Sequence, residues 1–570
     1  MKNSAPEEVA GILRRVTFVG GSIQLPAPVT AAKEDSNGDA QHPNASPRAP
    51  QKMMRESRTV REIHEGNETE GSESDSDFDV SRYLSVDDLG HVGVFGLTST
   101  LHSPRNPSLP SVPPMQDVRN QLIANAALER QKEFSIRRLP DIDGVPTPLA
   151  MHLLDLHWNR QHHTFLLTYR PAFMRDLASG GPYCSKFLLN AIFACASKYS
   201  DRVELRDDVS DPRTAGGRFF RRCEELMSQD PPWERSSIST LVGLLLLGST
   251  FVARGEITKG GSYTGLAVRM VFDLGLHLDL KKPGCTAEDI EIRRRVYWGA
   301  FLCDKMQSLY LGRPIAMQLK DSHVPYELMD TMEELDIWVP YVDPECLDPS
   351  QILYSPTPLH SVSTFQQLCL LSKIMTRIIN RFYSVRTTPS KAQASLQALD
   401  QALTNWYQQL PESITFEPWS ENFIASQKCV PPNIMNLHNT YHSLVILLHR
   451  PFISDGHLRS GTASAGSWKK CTAAARNITS IVGSYRSAYS LRGAPYLTSY
   501  AVYVSCTIHI RNAALEGRNG DNLRLLLASL KTLDELCVPN PGISRPANII
   551  RRLMQINGIH EATGETPVSL

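Results

Sequence analysis

From about Met115 nearly to the C-terminus, apolar residues recur at intervals of three and four, the period of an α-helix. Ser185 stands as an N-cap before a stripe of Leu188, Ile192, Cys195 and Tyr199. Leu266, Met270 and Leu274 repeat every fourth residue and are closed by Gly275, a residue type that suits the position after a helix. A longer helix is predicted from about Glu288 to Leu311, with Trp298, Leu302, Met306 and Leu309 on one stripe and Gly312 and Pro314 behind it. Leu241 to Ala253 is the most apolar segment; at less than the ~20 residues a bilayer span needs, it is predicted to be a buried core helix, and no transmembrane helix is expected. The period is interrupted between Asp321 and His360 by a mixture of acids, prolines and aromatics. It then resumes over Phe365 to Tyr383, Ala392 to Leu410, Leu437 to His449 (stopped by Pro451), Tyr496 to Leu515 and Asn522 to Leu536. Few alternating β-branched runs compete, and no fixed-period repeat is present. The fold class is all-α.

Residues 1–115 have a different texture. They contain no cysteine or tryptophan, many prolines, and polar runs such as KEDSNGDAQHPNASPRAPQ, a mixture that buries too little apolar surface to offset chain entropy and is expected to be disordered. Within them, residues 65–79 (EGNETEGSESDSDFD) hold seven acids and no base, which suits either a solvating linker or an acidic activation or docking segment. Ser72, Ser74 and Ser76 each have an acid three residues on, so phosphorylation there would deepen the charge. The expected organisation is this segment, a helical domain over 116–320, an irregular acidic and proline-rich connection over 321–360, and a C-terminal helical part over 361–560 that packs on the domain.

The charge balance of 59 basic and 59 acidic residues argues against a protein that coats nucleic acid or anionic surfaces through overall charge. No basic region followed by a signal-length apolar run opens the sequence, so secretion is not expected, and the eleven cysteines read as reduced intracellular thiols. The nearest two, Cys184 and Cys195, are eleven apart; without any CxxC pair, zinc sites built on such pairs are excluded.

Several phrases, in order, carry a resemblance. They are GHVGVFGLTSTLH (90–102), HLLDLHWNRQHHTFLLTYRPAFMRDL (152–177), YCSKFLLNAIFACASKYSD (183–201), YTGLAVRMVFDLGLHLDL (263–280), EIRRRVYWGAFLCDKMQSLYLGRPIAM (291–317) and LHNTYHSLVILLHRPF (437–452). Together they resemble the middle homology region of fungal zinc-cluster regulators of the nitrate-assimilation and xylanase-activator type, over roughly residues 90–540. The resemblance implies an all-helical regulatory domain in a nuclear protein that controls transcription by RNA polymerase II. It implies no catalytic set, and no enzyme is expected. Members of the family carry, N-terminal to this region, six cysteines that hold two zinc ions and place a helix in the major groove of DNA. Residues 1–183 here contain no cysteine, so zinc-dependent DNA binding is implied by the family while its cluster is missing from this sequence. A truncated gene model, an isoform or a clusterless relative would each account for that.

Other constellations suggest chemistry less well. His152, His157, His162 and His163 crowd twelve residues, but a spacing of five sets imidazoles about 140° apart on an ideal helix, so one face cannot present His152, His157 and His162 together. His438 and His442 lie at i, i+4, with His449 beyond, but the segment lacks the glutamate of HExxH. No metal ligand set is assigned. Arg293, Arg294 and Arg295 fan around a helix and are expected to make salt bridges or caps within the domain, not a groove-facing edge. The glycines of GGSYTGLAV (260–268) lack the Lys-Ser/Thr of a phosphate loop and read as a helix entry; GTASAG (461–466) misses the GxSxG spacing, and Ser467 and Trp468 read as loop and helix start. Asn44 and Asn477 fall in chance N-x-Ser/Thr triplets. The leading reading is a transcription regulator whose helical body receives a metabolic signal or a partner. Protein partners are expected as homo- or heterodimers or transcription machinery, promoter DNA only through a cluster supplied by a missing exon or a partner, and a small-molecule effector at a site the sequence does not name. A clusterless protein that dimerises with or titrates full-length factors is the alternative, and a helical small-molecule-binding protein a lesser one.

Overall fold

The computed structural model describes residues 17–19, 22–24, 84–86, 92–94, 98–100, 115–279, 285–341, 356–421, 430–453, 456–458, 465–516 and 520–559. Residues 1–75 are a unit of their own, in which Thr17–Val19 pairs antiparallel with Ser22–Gln24, and residues 76–570 form the second unit. The disorder expected for 1–115 and the acidic tract at 65–79 fall outside the described residues, apart from those triplets and the pair Leu84–Val86 and Val92–Val94.

From residue 115 the chain is helix upon helix: α1 (Met115–Lys132), α2 (Thr147–Leu156), α3 (Arg170–Ser179), α4 (Lys186–Ala196), α5 (Gly217–Gln229), α6 (Ile238–Arg254), α7 (Ile257–Asp273) and α8 (Ala287–Leu311). After the connection come α9 (Ser361–Phe382), α10 (Pro389–Gln408), α11 (Pro432–His449), α12 (Ala465–Ala488), α13 (Leu497–Glu516), α14 (Asp521–Cys537) and α15 (Ser544–Ile556). The all-α expectation holds, and local signals set the boundaries. Ser185 Oγ accepts the Leu188 N–H at 3.1 Å, the cap expected for α4. Thr286 and Asp289 form a reciprocal capping box at the start of α8. Gly275 takes φ +63°, so that Leu276 N–H reaches Val271 O and Gly275 N–H reaches Phe272 O, closing α7 with paired bonds that a left-handed residue permits.

One hydrophobic core runs from Ala126 to Met554. At its N-terminal end lies α6, apolar on every side because α4, α7 and α8 pack around it. A Cβ on Gly260 would stand 2.7 Å from Gly248 O, so α6 and α7 touch backbone to backbone. In the second half α11 packs on α12, α12 on α13 and α13 on α14, with α9 and α10 against α11. The halves meet along α8 and α9, and the turn Pro541–Ile543 lies on α6, its Gly542 against Gly255.

The predicted stripe on α8 understates its burial. This 25-residue helix buries Arg295 and Lys305 as completely as Phe301. Arg295 donates from Nε to Glu291 Oε1 and from Nη1 to Glu333 Oε2, both at 2.8 Å, and from Nη2 to Asp330 O at 3.2 Å. Tyr169 Oη donates to Asp330 Oδ2 at 2.6 Å, the Met329 N–H reaches Glu291 Oε2 at 2.7 Å, and Ser361 Oγ reaches Glu333 O at 2.9 Å. Burial opposes the charge on Glu333, yet the Arg295 guanidinium and His162 beside it hold its carboxyl well below the usual range. Part of the connection is core: Leu328 to Asp330, Glu333 and Trp338 are buried, and Ile337–Trp338 pairs with Thr357–Pro358.

Two outcomes follow for stability. Arg295→Met leaves Glu291 buried without a counter-charge and Glu333 with His162 alone, and should cost about 3–5 kcal/mol, read as a lower denaturant midpoint. Gly260→Ala should destabilise by about 1–3 kcal/mol through the α6–α7 clash, whereas Gly265→Ala on the same helix, with open space at its Cβ, should stabilise by about 0.5–1 kcal/mol; parallel thermal melts of the two variants test the contrast.

Candidate functional site

At the meeting of the halves lies a cavity, partly open to solvent. Its walls are the segment 159–165, α8 through Met306 and Leu309, the first turns of α9, residues 432–443 of α11 and residues 493–501, with Trp338, Leu359 and Tyr485 between them. Apolar and aromatic groups form much of it, with Trp338, Phe365, Leu437 and Tyr500 among them.

Its polar groups are unusual. Asn439 is 3% exposed, and neither Oδ1 nor Nδ2 meets a partner among the described residues. Asn433 spends its Nδ2 on Leu359 O at 3.0 Å and leaves Oδ1 unpaired, and the buried Thr364 Oγ1 is likewise unpaired. Arg160 Nη1 and His163 Nδ1 complete the set. All five side chains line this one cavity. Buried polar groups are paired in the great majority of cases, so such convergence marks a place where solvent or a ligand must supply the partners. Burial, with His162 alongside, pushes the His163 imidazole down to about 3, so it is neutral at ordinary pH. Arg160 is then the one formal charge among the described lining residues; Glu333, which also acts on His163, is committed to Arg295 and His162.

On α11 the polar positions Asn433, Asn436, Thr440 and Ser443 recur at i, i+3, i+7 and i+10, a stripe that faces the cavity. That stripe is legible in the sequence as a polar period, although the histidines of the same helix are the more conspicuous signal. His438 and His442 point elsewhere: His438 Nε2 donates to Ile414 O at 3.0 Å, and His442, pushed down to about 3 by burial, sits among the rings of Tyr441 and Trp419. His449 lies 2.9 Å from Asp400 and 3.1 Å from Ser467 Oγ.

The N-terminal histidines depart from ideal-helix geometry. Residues His157–Gln161 form a π-turn in which the His162 N–H reaches His157 O, stacking residues five apart. Both rings consequently approach Thr168 Oγ1 at 3.0 Å, while His152 goes separately to Ser200 and Tyr341. The three arginines each find a partner inside the domain. Arg293 donates to Leu274 O and Gly275 O at the end of α7, Arg294 pairs with Asp279 at 2.6 Å, and Arg295 anchors the buried cluster above.

The residues present do not fit the zinc cluster that the resemblance implies. Among the described residues no group of three or more His, Cys, Asp or Glu is placed to hold a metal ion. Burial pushes the thiols of Cys184, Cys471 and Cys506 up to about 12, away from the thiolate a metal needs. No described helix is long and apolar enough to cross a membrane.

The unpaired amide has a measurable consequence. Asn439→Leu replaces a buried polar group unpaired among the described residues by a somewhat larger apolar one that extends into the cavity, and should raise stability by about 1–2 kcal/mol, read as a higher melting temperature.

Residues 154–408 match the fungal specific transcription factor domain. The nitrogen assimilation transcription factor nit-4 of Neurospora crassa is 27% identical over 415 residues, which cover 70% of this chain and 36% of that protein. The nitrogen assimilation transcription factor nirA of Emericella nidulans is 28% identical over 397 residues, 68% of this chain and 42% of that one. The chain thus matches less than half the length of either relative. Among solved structures, the K. lactis CBF3 core has a TM-score of 0.47 at 12% identity, covering 77% of this chain and 91% of that one. The matched residues run from α2 through α10 and include the whole buried cluster around Arg295. Residues 154–408 of the chain are thus similar to the fungal specific transcription factor domain.

Proposed function

We propose that this chain regulates transcription by RNA polymerase II in the nucleus through its helical body. The match of residues 154–408 carries that reading, supported by relatives that are named transcription factors along two thirds of the sequence. Two packed halves that share a polar-lined cavity supply the physical means. A ligand or partner that fits one arrangement of the halves better than another shifts the equilibrium between them by its difference in affinity. Contact with promoter DNA is assigned to a partner or to sequence outside these residues, since no two cysteines of the chain are close enough to begin a zinc cluster. Dimerisation with related factors or docking on the transcription machinery would place the helical body at the promoter.

A tethering experiment tests the regulatory role by itself. The full chain fused to an unrelated DNA-binding domain should change output from a reporter that carries the matching operator, relative to that DNA-binding domain alone. Identical output from the two, with the fusion present in the nucleus at equal level, would remove the reading. Nuclear accumulation of the untethered chain, followed by fluorescence, checks its location.

A further inference from the structure

We propose that the cavity between the halves binds a small organic anion, a carboxylate with an apolar body, with Arg160 receiving the charged group and Asn433 and Asn439 meeting polar atoms on the body. The proposal deepens the regulatory reading by naming what the helical body senses, and it rests on that reading for its consequence in the cell.

Charge comes first. Arg160 is half-buried, and no carboxylate among the described residues pairs with it; its nearest polar contact is a long 3.5 Å approach from Nη2 to Tyr341 O. Three other enclosed arginines have carboxylate partners, Arg294 with Asp279, Arg295 with two glutamates and Arg170 with Glu133, and Arg293 is held by two backbone carbonyls. A guanidinium with no counter-charge among the described residues, in a sheltered and largely apolar cavity, suits an anion, and its planar fork suits a carboxylate. Gly493 supports the placement, because any Cβ there would stand 3.2 Å from Nη1 and crowd the group.

The amides decide the rest. Asn439 offers both a donor and an acceptor, and Asn433 an acceptor, from side chains more than nine-tenths buried. Thr364 adds a hydroxyl and His163 a neutral ring nitrogen. An inorganic anion would satisfy Arg160 but leave these acceptors and the aromatic wall of Trp338, Phe365 and Tyr500 unused. A molecule with an apolar body and one hydroxyl, amide or amino group beside its carboxylate uses all of them. Its contacts reach α9, α11 and the 159–165 segment together, so its binding is coupled to how the halves pack.

The test uses the full chain and 8-anilinonaphthalene-1-sulfonate, an anionic probe whose fluorescence rises in apolar sites, with N-phenyl-1-naphthylamine as its uncharged analogue. The expected result is saturable binding of the anionic probe, displaced by octanoate and not by octanamide at equal concentration. Arg160→Gln should weaken the anionic probe and octanoate by roughly 10-fold or more, the worth of a charged hydrogen bond, while the uncharged analogue still binds. Asn439→Leu, whose fold is expected to be at least as stable as the parent, should compete with ligand for the same space and weaken both probes. Non-saturable binding, equal displacement by octanamide, or unchanged anion affinity in both variants would overturn the proposal. If the tethered chain drives its reporter while these binding results fail, the ligand site is wrong and the regulatory role stands; binding without any reporter effect keeps the site and removes the regulatory role.

Discussion

The buried guanidinium of Arg295 is the constraint on which the rest of the structure depends. It is fully enclosed, so it requires counter-charge within reach, and it draws Glu291 from its own helix and Glu333 from a segment 38 residues on. Those carboxylates in turn accept the Met329 N–H and lie against His162, and the neighbouring Asp330 holds Tyr169. Four separate stretches of chain are thereby fixed at one point. Ser361 Oγ on Glu333 O then sets where α9 begins, and with it the first helix of the second half.

A second polar lock on the same helix gives the phrase at 291–317 its physical sense. Lys305 Nζ donates to Asp304 Oδ2 at 2.7 Å and to Met317 O at 2.5 Å, and Asp304 accepts the Ala316 and Met317 N–H groups at 3.0–3.1 Å. The helix and the GRPIAM turn behind it are one hydrogen-bonded object. Each polar residue inside it has a defined partner, so substitution of one strands another in a medium of low dielectric. Packing dictates such a phrase, which therefore says little about which ligand or partner the protein meets.

The cavity shows the opposite economy. Where the Arg295 cluster satisfies nearly every donor and acceptor, Asn433, Asn439, Thr364 and Arg160 each keep a polar atom without a partner among the described residues at the seam of the halves. Unpaired buried groups cost stability, and several of them fall together here, between elements that must agree on their arrangement.

How much of the molecule is legible in its sequence differs by level. Helical period, the Ser185 cap, the Gly275 closure and the span of α8 can be read there because each depends on residues within one or two turns, where spacing and dihedral preference decide the outcome. The ordered phrases likewise point to the family. Tertiary structure decides what lies beyond that range. Glu333 and Asp330 belong to an acidic, proline-rich stretch that by composition reads as a connection, and only the approach of Arg295 makes them core. His157 and His162 meet because a π-turn replaces ideal helical geometry, which spacing alone cannot foresee. Arg160 and Asn439 become one site although they are far apart in sequence, since neither carries a local signal of the other. Sequence by itself determined the elements and their kinship; the fold decided which polar groups would find partners and which would be left to bind something else, because pairing is a property of three-dimensional neighbours and not of order along the chain.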